Sequence, residues 1–178
     1  SANVQWTQYA TNDLPAYDPN VYNHLAFVIT KNSGGNSTVV IYVNGSAVAL
    51  DSPTHGPITD TEQEEYTSSQ VPWIGTYGSG GSSSAGTYQD HAMKEVGFFN
   101  TALDADNIHA ILDMGGSTYT GVDTIDLTQP FDNYNSQNSL IGYWKMNDGM
   151  GQVANDKVHV GPTVSNGYIG SPTYCLFE

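Results

Sequence analysis

The densest group of side chains that could do chemistry is Glu62-Gln63-Glu64-Glu65. Retaining glycoside hydrolysis needs two carboxyls about 5 Å apart, one as nucleophile and one as acid and base. A strand achieves this by placing acids at alternate positions, so that they face the same way. Here the acids crowd together in the polar stretch 53–70, which reads as a solvated loop. The five histidines, His24, His55, His91, His109 and His159, have no metal-ligand spacing, and no serine sits in a nucleophile-elbow context. The residues therefore point away from an enzyme. Sugar binding needs less: exposed aromatic faces beside amides and carboxylates are sufficient. Trp73, Tyr77 and Tyr88 surround the Gly/Ser-rich segment 78–86 and are the candidates for carbohydrate contact.

Charge narrows the partners further. Eighteen acids oppose four lysines, Lys31, Lys94, Lys145 and Lys157, with no arginine, for a net charge of −14. Nucleic-acid binding requires a basic footprint that neutralises several phosphates, and four scattered lysines do not provide one. Anionic membrane surfaces are disfavoured on the same ground. Cys175 stands alone, so the chain has no internal disulfide, and its expected place is in a buried apolar setting. A chain that starts at Ser1 is expected to be a processed or trimmed product. Its first residues lack the basic start and apolar stretch of a signal peptide.

The elements that must carry these residues are mostly strands. Leu25–Thr30 and Thr38–Val43 are β-branched runs around a Gly/Asn/Ser loop, which predicts a hairpin. Asn44-Gly45 supplies the two positive-φ positions of a tight turn leading into Ala47–Leu50, so three strands form a meander. Further strands are expected at Val4–Trp6, Val71–Tyr77, Val96–Phe99, Leu140–Met146, Tyr168–Ile169 and Tyr174–Phe177, with 78–86 as a flexible loop. One helix is predicted over Asp104–Met114. Asp104 caps it, Ile108, Ile111 and Leu112 form its apolar face, and Gly115-Gly116 end it in the left-handed conformation. About nine or ten strands with one short helix imply an all-β, two-sheet antiparallel sandwich over 1–178 as a single domain.

Three stretches add a resemblance. His24-Leu25-Ala26-Phe27-Val28-Ile29 with Ile41-Tyr42-Val43-Asn44-Gly45, Glu95–Ile108, and Leu140–Gly151 are together similar to the strand and helix motifs of the laminin G-like, concanavalin A-like jelly-roll superfamily. The resemblance covers most of the chain and is nearest to such domains in structural proteins of marine bacteriophages. It implies a jelly-roll sandwich of the lectin and glucanase type on a virion surface or another extracellular appendage. The corresponding role is structural or recognition work on glycans or neighbouring subunits. In this family the Gly-Tyr-Trp strand opens the domain, whereas here Gly142-Tyr143-Trp144 follows the helix. A permuted order, or a segment cut from a longer chain, would explain that. Strands missing from the start would leave an open sheet edge, so a homo-oligomer or larger assembly is expected. The resemblance also implies a calcium site, with Asp156 and Asp90 as the matching ligands. Val158, His159 and Val160 stand where the family has glycines and an asparagine. The alternatives are a calcium-assisted carbohydrate-binding domain of a secreted protein and, further off, a jelly-roll glycosidase.

Overall fold

The computed structural model describes residues 21–33, 35, 37–50, 78–79, 82–83, 93–115, 125–147, 153–158 and 167–168. The chain divides into two units, Ser1–Glu64 with Phe99–Ser139, and Glu65–Phe98 with Leu140–Glu178. The described elements are mostly short antiparallel strands with one short α-helix, an all-β arrangement. The expected strands at Val4–Trp6, Val71–Tyr77 and Tyr174–Phe177 lie outside the described residues.

In the first unit, β1 (Leu25–Thr30), β2 (Thr38–Val43) and β3 (Ser46–Val48) form the meander, in the order β1-β2-β3. Leu25 pairs with Val43, Phe27 with Ile41, and Ile29 with Val39. The β2–β3 turn has the geometry its residues demand: Asn44 at φ 49° and Gly45 at φ 79°, both left-handed. Asn44 also fastens the start of β1. Its amide N–H donates to the His24 carbonyl (2.8 Å), its Oδ1 accepts from the His24 N–H (2.8 Å), and its Nδ2 donates to Asn23 Oδ1 (2.9 Å).

Helix α1 (Ala105–Met114) starts as predicted. Asp104 is extended and its Oδ1 accepts from Asn107 N (2.8 Å) and Asn107 Nδ2 (2.7 Å), satisfying an amide of the first turn. Asn107 is itself buried, and its Oδ1 accepts from Asn135 N (3.2 Å) and Ser136 Oγ (2.9 Å), which ties the helix start to the segment after it. The helix ends at Gly115, the first of the two expected glycines. Gly115 keeps a right-handed conformation (φ −75°, ψ −13°), and its N–H donates to the Leu112 carbonyl. The last turn thus tightens toward a 3-10 geometry at Gly115, while Gly116, the second glycine of the expected stop, lies outside the described residues.

The core of this unit is Val43, Ile108, Ala110, Ile111, Ile125, Leu127 and Tyr134. Tyr134 is fully buried and meets its hydrogen-bond requirement by donating to the Leu127 carbonyl (2.7 Å), with Phe99 packed edge-on at 6.3 Å. The Gly45 carbonyl accepts from His109 Nε2 (2.8 Å). A methyl group at Gly45 would come within 3.0 Å of His109 and 3.1 Å of Leu112, so glycine lets turn and helix close on each other.

In the second unit, β4 (Gly78–Ser79) pairs antiparallel with β5 (Ser82–Ser83). Residues 78–79 and 82–83, expected within a flexible loop over 78–86, thus form a two-rung ladder, which needs only backbone groups. β6 (Val96–Phe99) pairs with β7 (Leu140–Trp144), and β8 (Val153–Ala154) pairs antiparallel with β9 (Gly167–Tyr168). β8 has no strand signature in the sequence.

Candidate functional site

Asp156 is the one predicted calcium ligand among the described residues. It is 4% exposed, and its Oδ1 accepts from Tyr143 N (3.1 Å) and Val158 N (2.9 Å). The second bond, two residues ahead, is an Asx turn, and the first reaches across to β7. The Lys157 N–H donates to the Tyr143 carbonyl (2.7 Å), so both backbone groups of Tyr143 are held by this segment. The Tyr143 side chain, fully buried, donates its hydroxyl to Glu95 Oε2. The arrangement makes Asp156 a clamp on the Gly-Tyr-Trp strand, with one carboxylate oxygen committed to two amides. Among the described residues no three His, Cys, Asp or Glu side chains gather as a metal cluster.

Trp144, next along β7, lies back over Gly142 and meets Phe98 edge-on at 5.8 Å. A methyl group on Gly142 would sit 2.6 Å from the indole ring. Glu95 and Met146 adopt positive φ values of 55° and 58°. Non-glycine residues pay for that conformation, and no local pattern in the sequence announces it. Asp90, Trp73, Tyr77 and Tyr88, the other predicted metal and carbohydrate residues, lie outside the described residues, as do Glu62, Glu64 and Glu65.

The feature that sequence reasoning missed is on β1. Alternate side chains of a strand share a face, and Leu25, Phe27 and Ile29 are 51%, 67% and 48% exposed. Phe27 is the most exposed of the large apolar residues described. Among the described residues β1 pairs on one side only, with β2. The β-branched richness that identified β1 as a strand carries no information on which face is covered. At the end of the same strand His24 is largely withdrawn from solvent, which holds its pKa below the usual 6.5. Its Nδ1 is buried with no hydrogen-bond partner.

Comparison with protein-family models, with curated proteins and with solved structures finds no match.

Proposed function

We propose that the chain is a non-catalytic structural or recognition module of the laminin G-like, concanavalin A-like jelly-roll type. In this reading it is borne on a virion surface or another extracellular appendage, where it contacts neighbouring subunits or glycans. The observation that supports this best is the row of exposed apolar side chains on β1, which among the described residues is paired on one side only. A soluble chain keeps such a row where another surface covers it, because apolar area in water and unpaired strand edges both favour association. The commitment of Asp156 to backbone amides agrees with a scaffolding role for the acid that the resemblance would assign to calcium.

The test sets the purified chain against a glycan array with and without calcium, and against β-glucans and algal polysaccharides with a reducing-end assay. No release of reducing ends, together with glycan retention or self-assembly, supports the module. Calcium-dependent retention on a defined glycan moves the reading to a lectin. Product formation overturns it in favour of a glycosidase.

A further inference from the structure

We infer that the partner of β1 is the β1 strand of a second copy, paired antiparallel about a two-fold axis at Phe27, an inference that rests on reading the chain as a structural module. The backbone fixes which groups are offered. The Asn44 N–H to His24 carbonyl bond continues the β1–β2 register, so residue 24 lies in a hydrogen-bonded pair. In an antiparallel ladder such pairs alternate with non-bonded ones. Residues 26, 28 and 30 therefore bond toward β2, and Leu25, Phe27 and Ile29 turn their N–H and C=O outward. The residues with exposed apolar side chains are the ones that present backbone groups on the side of β1 that has no partner among the described residues.

Charge selects the second copy as occupant. A chain of net charge −14 resists self-association over most of its surface. Between Asp18 and Asp51, however, there is no acidic residue, the longest such run in the chain, and Lys31 is its one charged side chain. The whole meander lies within that run, so the three strands bring no carboxylate of their own to the contact.

The register follows from side-chain pairing. An axis at Phe27 sets Phe27 against Phe27 of the second copy and Leu25 against its Ile29, giving three apolar pairs on one face. It also sets Lys31 against Asn23 of the second copy, with the two lysines roughly 26 Å apart at about 3.3 Å per residue. Moving the axis to Val28 sets Leu25 against Lys31, and moving it to Ala26 sets Ile29 against Asn23. Each loses an apolar pair. The centred arrangement joins two three-stranded sheets into one of six, and a two-fold axis closes the assembly at a dimer.

The experiment combines mass and cross-linking on the full chain. Sedimentation across a wide concentration range should show a shift from the 19.1 kDa monomer toward twice that mass. Phe27→Lys should weaken the association at least ~100-fold, as a charge on an edge strand does, while hydrogen exchange of the β2 amides stays as in the unmodified chain. In a Cys175→Ser background, Phe27→Cys should form a disulfide-linked dimer under mild oxidation and Lys31→Cys should not. A wild-type monomer at every concentration overturns the second copy, and equal cross-linking at both positions overturns the register. A glycan or a different subunit that wild type captures and Phe27→Lys releases overturns the second copy while leaving the module reading in place.

Discussion

Replacing Asp156 with alanine isolates the clamp on β7 from any metal role. The substitution removes the acceptor of Tyr143 N and Val158 N at once. The Tyr143 amide lies in a fully buried residue, and a buried donor left unsatisfied costs about 1–3 kcal/mol. The Val158 amide is half-buried, and water can reach it, so its loss adds less, near 1 kcal/mol. A total of about 3 kcal/mol corresponds to a fall in Tm of roughly 6–12 °C for a chain of this length. Asp156→Asn keeps an Oδ1 acceptor in place and loses only the charge assistance, so its fall should be about a third as large. The assay is thermal unfolding by far-UV circular dichroism, with hydrogen exchange at the Tyr143 amide, in chelator and in millimolar calcium. Asp156→Ala within ~0.5 kcal/mol of wild type would refute the clamp. Calcium at 100 times its Kd adds about 2.7 kcal/mol to a protein that binds it. A calcium-induced rise in wild type that vanishes in Asp156→Asn would make the carboxylate a ligand instead.

At the helix start, Asp104→Ala should lower stability by roughly 1 kcal/mol, measured by urea unfolding. The Asn107 side-chain and backbone hydrogen bonds hold the Asp104 carboxyl below its usual 3.8, so this contribution is present above pH 3.8 and is lost as pH falls below it; Asp104→Asn should flatten that acid limb. Burial favours neutral His24 in the fold, while the unfolded chain takes up a proton near 6.5. Stability should therefore decline as pH drops through 6.5, and His24→Gln should reduce the slope. Burial, with the nearby Asp126 charge, pushes the Tyr134 phenol up to about 12 from its usual 10.0, so its contribution to stability holds below pH 10 and is lost as pH rises from there toward 12. Tyrosinate absorbance should show one late-titrating phenol that Tyr134→Phe removes. Gly45→Ala should cost about 2 kcal/mol by chemical denaturation, combining left-handed strain with contact against His109 and Leu112.

What could be read from the sequence was local. The meander follows from two β-branched runs and an Asn-Gly turn, and the helix start from an aspartate placed before an apolar period of 3.6, so both emerge at the expected residues. What escaped depends on partners distant in the chain. Tyr143 reaches Glu95 and Asp156, and Asn107 reaches Ser136, through folds of the backbone that no spacing rule encodes. The helix stops at Gly115 as its sequence suggests, but Gly115 itself is right-handed, since glycine permits the left-handed conformation without requiring it. The exposure of Phe27 is not legible either, because an apolar strand position need not be a covered one. Asp156 was legible as an acid in a turn, but the two amides it holds emerge only once β7 is in place.

The close approach of Gly142 and the Trp144 indole also restricts how this chain can diverge. At 2.6 Å from the ring, position 142 has no room for any side chain while the tryptophan lies over it. A descendant that first acquires alanine at 142 must swing the indole off Phe98, whereas one that first shortens the tryptophan leaves a gap that alanine could then fill. The two positions are thus coupled in evolutionary time: alanine at 142 is accepted at less cost once the tryptophan has gone than while its indole must move. Among diverged copies of this strand, tryptophan paired with a bulkier residue two positions earlier should be the rarest combination.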